Sequence, residues 1–139
     1  MRKPNSVAEF SDQRNQFLLK NFREAIAVQS KIDLSNAFKT STRIPAPRFW
    51  VSEQRAAGVV GKMLAGHDPT ADMYEEKREM YREIFRRFMK LREERPEESI
   101  YQLVFEVVNN PAPRSYISEE RARKLIYAER RTIKERRPR

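Results

Sequence analysis

Cysteine is absent from the chain, which removes disulfides and thiol chemistry from consideration. There is one histidine, His67, so a multi-histidine metal site is excluded. Asp68 and Asp72 beside it make no recognisable ligand set. The three glycines, Gly58, Gly61 and Gly66, do not form a phosphate-binding loop. Runs of β-branched residues are scarce, which argues for helices over strands. No apolar run approaches the length of a membrane span, and the first residues lack the apolar core of a signal peptide. Ser52 and Ser118 have no histidine near them and are explained by capping. These absences point away from an enzyme, and no metal or cofactor is expected.

What the chain does contain is a stretch present twice. Residues 45–62 read Pro-Ala-Pro-Arg-Phe-Trp-Val-Ser-Glu-Gln-Arg-Ala-Ala-Gly-Val-Val-Gly-Lys. Residues 111–128, 66 positions later, read Pro-Ala-Pro-Arg-Ser-Tyr-Ile-Ser-Glu-Glu-Arg-Ala-Arg-Lys-Leu-Ile-Tyr-Ala. Eight of the 18 positions are identical, far above chance. Proline fixes φ and biases the preceding residue toward extended geometry, so Pro-Ala-Pro-Arg is an arm and not a helix. Ser52 and Ser118 follow at N-cap positions, with Glu53 and Glu119 in the first turn where negative charge suits the helix dipole. Val51 with Ala56, and Ile117 with Ala122, stand at the spacing of a hydrophobic staple.

The same offset extends upstream. Leu18, Leu19 and Phe22 line one face of a helix over 13–30, and they align with Ile84, Phe85 and Phe88 on a helix over 73–94. Asp72 with Glu75 offers a capping box for the latter. A short helix begins after Asp33 and its counterpart after Ser99, the second with a Ser99–Gln102 capping box. A third helix follows each arm, from Glu53 and from Glu119. Gly58 and Gly61 weaken the first of these, or admit another helix at close range. Gly66 stops it.

The expected fold is all-α, a tandem repeat of two small three-helix units. The expected divisions are a flexible N-terminus at 1–12, units at 13–66 and 73–130, a linker at 67–72 and a basic tail at 131–139. The units either close separate cores, with Trp50 and Tyr116 packed on their own unit's helices, or merge into one six-helix body. A short helix followed by a capped helix within such a unit resembles helix-turn-helix architecture in outline, although the connection takes about nine residues where the usual turn takes three or four.

The net charge is +9, which favours a polyanionic partner. From residue 121 onward nine basic residues face two acidic ones, Glu129 and Glu135. The helix over 73–94, by contrast, interleaves glutamates with arginines and reads as a solvated, self-paired face. Nucleic-acid contact is therefore expected from Arg121, Arg123, Lys124, Arg130, Arg131, Lys134, Arg136 and Arg137. Arg48 and Arg114 on the arms either join them on phosphates or pair with an acid at a turn or with helix carbonyls. Arg55 and Arg121 sit in first turns, where a cation is unfavourable, so each calls for a carboxylate or an external anion. The expected partner is double-stranded DNA, with RNA as the other nucleic acid that fits. The alternative is a structural or assembly protein, phage- or chromosome-associated, whose helices bind other subunits or further copies of itself. Either reading expects no membrane, and a location in the cytoplasm or inside a virion.

Overall fold

Capping chemistry sets most helix boundaries in this computed structural model, which describes residues 7–136. The six helices are α1 (Val7–Ala27), α2 (Leu34–Arg43), α3 (Glu53–Leu64), α4 (Glu75–Glu94), α5 (Ile100–Val108) and α6 (Glu119–Arg136). No strand occurs among the described residues, so the protein is all-α. Asp33 caps α2 by accepting from the Asn36 amide at 3.1 Å. Ser52 accepts from Arg55 at 3.2 Å, and Ser118 from Arg121 at 3.1 Å. Ser99 and Gln102 form the reciprocal capping box on α5. After α3 the chain turns at Gly66, φ 91°, while the His67 amide reaches back to the Lys62 carbonyl and that of Gly66 to Met63.

Three expectations need correction. α1 starts at Val7, inside the stretch read as flexible, because Phe10 is buried and extends the apolar face toward the N-terminus. α4 starts at Glu75, later than the sequence suggests, and Asp72 does not cap it. Asp68 takes the local turn instead, accepting from both the amide and the hydroxyl of Thr70. Finally, Gly58 and Gly61 face open space, with nothing within 4 Å of an added Cβ, so no close approach explains them.

The arms, residues 45–50 and 111–116, run between the short and third helices and meet each other. In Pro-Ala-Pro the alanine carries the one backbone N–H available for pairing. Ala46 and Ala112 use theirs on one another, each amide donating to the other's carbonyl at 2.9 Å in an antiparallel bridge. Both alanines are 2% exposed, and their small side chains permit this approach. The flanking prolines prevent the pairing from growing into a sheet. Past the bridge each arm docks on the opposite short helix. The Phe49 amide donates to the Val108 carbonyl at the end of α5 (3.0 Å), and the Ser115 amide to Thr42 at the end of α2 (2.9 Å).

Because the arms cross, helix packing does not follow chain order. α6 packs on α1 and α2, and α3 packs on α4 and α5. One apolar cluster joins Leu18, Leu19 and Phe22 of α1 with Ala37 and Phe38 of α2 and Ala122 and Ile126 of α6. The other joins Ala56, Val59 and Val60 of α3 with Tyr81, Ile84 and Phe88 of α4, Leu103, Val104 and Val107 of α5, and the arm residues Phe49, Trp50 and Val51. The third helix of each sequence copy is thus exchanged between the halves. Trp50 accordingly spans both halves and is not confined to its own unit. Its ring centroid lies 5.9 Å from that of Phe17 on α1, and its indole N–H donates to Ser115 Oγ at 3.0 Å.

α4 clamps the crossing. Phe49 is fully buried, with the stacked ring of Tyr116 at a centroid distance of 6.0 Å and the guanidinium of Arg87 over its ring at 5.0 Å. Arg87 also donates to the Pro111 carbonyl at 2.8 Å and to Glu83 at 2.7 Å. Tyr116 adopts φ 55°, a left-handed conformation costly for an aromatic residue, and this packing holds it there. Hydrogen bonds from Arg86, then Arg87, hold the Glu83 carboxyl down to about 2.

A carboxylate depressed on folding adds stability above its unfolded value and loses it as pH falls through its folded value. The melting-temperature difference between the wild type and Glu83→Gln should therefore be largest above pH 4.5 and shrink toward pH 2. A difference that stays constant across that window would mean the clamp does not depend on the Glu83 charge.

Candidate nucleic-acid interface

α6 shows two faces. Ala122, Ile126 and Glu129 point into the protein, while Arg121, Arg123, Lys124, Arg130, Arg131 and Lys134 are exposed. Arg123, Tyr127, Arg130 and Lys134 recur at four, three and four residues, which aligns them along one flank of the helix. At the α2 end of that flank the Phe38 ring receives Arg123 over its face at 5.2 Å and Tyr127 against its edge at 5.6 Å. Arg123 also sits 3.8 Å from Glu119, and Lys124 3.8 Å from Glu120, both on exposed side chains where such pairs hold weakly.

Toward its C-terminus α6 and α1 leave a groove of about 510 Å³ lined by Arg23, Tyr127, Arg130, Arg131, Ile133 and Lys134. A smaller hollow of about 250 Å³ continues it over Leu19, Phe22 and Ile26, sharing Arg23 and Arg130. The floor is apolar and the walls are cationic. None of these four cations is ion-paired with an acid among the described residues. The negative end of the α6 dipole accounts for part of the local preference for cations, but not for Arg23, which arrives from another helix. Arg23 is the member that the sequence reading missed. Its signal is there: between Leu19, Phe22 and Ile26 it interrupts an apolar stripe of α1, and an arginine in such a stripe lays its stem on the core and its head at the rim.

The structure thus brings Arg130, Arg131 and Lys134 together, keeps Arg121, Arg123 and Lys124 on the same helix nearer its start, and separates the arm arginines from them. The Arg136 side chain and Arg137 lie outside the described residues. Arg114 reaches α4, pairing with Glu79 and lying over the Tyr116 ring at 4.9 Å, so it is half engaged before any ligand arrives. Arg48 is a correction. It is 8% exposed, and its guanidinium donates to the Phe49 carbonyl at 2.9 Å, the Val51 carbonyl at 2.7 Å and Glu53 at 3.4 Å. Glu53 is 1% exposed and also accepts from Asn109 at 3.0 Å. Burial pushes the Arg48 guanidinium below its ordinary value, and Glu53 opposes that shift. Of the two roles open to Arg48, it fills the internal one, tying the arm to the first turn of α3.

Comparison with family models, with curated proteins and with solved structures finds no match for the chain.

Arg48→Met should destabilise the fold by roughly 3 kcal/mol, because it leaves Glu53 buried with Asn109 as its remaining partner. Denaturant unfolding measures this. A variant as stable as the wild type but with weakened DNA binding would return Arg48 to the interface.

Proposed function

We propose that this is a non-enzymatic nucleic-acid-binding protein that holds double-stranded DNA through phosphates along α6 and the groove beside it. The observation that carries the reading is the set of four cations without an acidic partner among the described residues, Arg23, Arg130, Arg131 and Lys134, drawn from two helices onto one groove. A charge set with no internal acid is suited to an external anion, and spacing along one helix flank suits successive phosphates. Arg121, Arg123 and Lys124 extend the same positive face toward the start of α6. The architecture behind it is, in this reading, a pair of repeated three-helix units that exchange their third helices through the Pro-Ala-Pro-Arg arms. The exchange gives α6 its place across α1 and α2, where Arg23 joins it.

A second reading has its own observation. Val28 (84% exposed) and Ile32 (65%) lie exposed in the α1–α2 connection, and Tyr101 and Phe105 form an exposed aromatic pair on α5. Exposed apolar groups of this kind suit protein contact, as in an assembly component.

Truncating α6 would uncover the α1–α2 core, so charge removal is the cleaner test. Duplex DNA is titrated against the wild type and against the triple variant Arg130→Gln, Arg131→Gln, Lys134→Gln at several salt concentrations. Every phosphate that the variant leaves unneutralised should flatten the log–log salt dependence by about 0.9, with weaker affinity at every salt concentration. Absence of duplex binding near physiological salt, with concentration-dependent self-association, would favour the assembly reading.

A further inference from the structure

The groove between α1 and α6 holds more than phosphates need. Tyr127 and Ile133 give it an apolar floor, which Leu19, Phe22 and Ile26 continue in the adjoining hollow. The larger hollow, about 510 Å³, is of the size that takes a small molecule or a single nucleotide. A phosphate is charged and gains nothing from an apolar floor. A duplex laid against α6 by its backbone offers phosphates and sugars, and these leave the floor uncovered. Tyr127 is the part of the floor with a flat aromatic face. It is 38% exposed, is held in a T-shaped contact with Phe38 at 5.6 Å, and has the Arg130 guanidinium 5.9 Å from its ring centroid. An exposed ring beside a cation suits a nucleotide, because every base has a π-face and every link between bases carries a negative charge.

The fold does not require these groups. At the 66-residue offset Arg23, Tyr127 and Arg130 correspond to Met89, Gly61 and Leu64. α3 packs on α4 as α6 packs on α1, so the equivalent helix pair forms with no cation and no ring at these positions. α3 also ends at Leu64, whereas α6 continues to Arg136 and adds Arg131, Ile133 and Lys134 to the groove. The cations, the ring and the additional helix length belong to one half of the protein and converge on one cavity.

We propose, on the nucleic-acid reading above, that this groove receives an unpaired nucleotide. Its base lies on Tyr127 and the apolar floor, and the phosphates on either side of it meet Arg23, Arg130, Arg131 and Lys134. The flank from Arg123 to Lys134 runs about 16 Å along the helix axis, long enough to meet further phosphates of the same strand. Withdrawing a base from an intact pair costs at least as much as stacking it on one ring returns. The groove therefore selects a base that is already unpaired, at a bulge, a gap or a single-stranded end.

The test is a titration of the whole chain with three DNA duplexes of one sequence at fixed salt. One is fully paired, one carries a single unpaired adenine, and one carries an abasic nucleotide in place of that adenine. The unpaired adenine should bind about tenfold more tightly than both of the others, the gain expected of one base stacked on an aromatic ring. Tyr127→Leu, which keeps an apolar side chain against Phe38, should remove that gain and leave binding of the paired duplex unchanged. The Arg130, Arg131 and Lys134 triple variant should weaken all three duplexes and keep their ranking. Equal binding of the adenine and abasic duplexes by the wild type would mean that strand flexibility is read and not a base, and would overturn the proposal. A full adenine preference in Tyr127→Leu would overturn it as well. The wild-type comparison decides the matter if that variant fails to fold. Equal binding of all three duplexes removes this inference and leaves the phosphate reading intact, whereas absence of binding to any of them removes both.

Discussion

Two backbone hydrogen bonds between Ala46 and Ala112 hold the arms across one another, and the places of α3 and α6 follow from that crossing. Each alanine sits between prolines, so its N–H is the one donor the Pro-Ala-Pro segment has to give, and the register of the crossing has no alternative within it. Once the arms cross, α3 emerges on the α4–α5 side and α6 on the α1–α2 side. The residues around the crossing then lock it. Phe49 packs on Tyr116 and Arg87, Trp50 hydrogen-bonds Ser115, and Arg48 holds the arm to Glu53. The apolar clusters supply most of the stabilising burial, but they do not choose between own and exchanged partners. The crossing does.

That division explains what could be read from the residues alone. The helices, their serine and aspartate caps, the Gly66 stop and the extended arms follow from local chemistry, and local chemistry is written in short stretches of sequence. The exchange is not local. Val60 and Ile126 occupy equivalent places, as do Ala56 and Ala122, so either third helix offers nearly the same apolar face to either pair of partners. A pattern that fits two arrangements equally cannot name one. The start of α4 was hidden by a competing Asp68–Thr70 turn, and the start of α1 by the polar residues that surround its buried Phe10.

Charge divides the arginines into two populations with different work. Those facing glutamates fasten elements together: Arg87 ties α4 to the second arm, Arg114 ties that arm back to Glu79, and Arg95 ties the end of α4 to Glu106 of α5. Glu79, on the helix whose glutamates read as paired along its own face, is drawn instead to an arm. The second population, in the α1–α6 groove, has no acid paired with it among the described residues and is placed by the exchange itself, since α6 meets α1 only because the arms cross. For the candidate site, the α6 cations were legible because they are dense in sequence. Arg23 was not, because it is a lone cation whose neighbours in the groove come from another part of the chain. Arg48 was misleading for the opposite reason: nothing in Pro-Ala-Pro-Arg reveals that Glu53 is buried beneath it.

The exchange is the claim on which the functional readings stand, and proton–proton contacts in solution test it most directly. Phe38 of α2 and Tyr127 of α6 lie edge to face with ring centroids 5.6 Å apart, close enough for nuclear Overhauser effects between their rings. The crossed arrangement predicts those cross-peaks, together with contacts from the Ile126 methyls to the α1–α2 cluster. Cross-peaks from Phe38 to Val59 or Val60 of α3, with Ile126 contacting Leu103 or Val104 of α5, would mean that each third helix closes its own half, and would contradict the account.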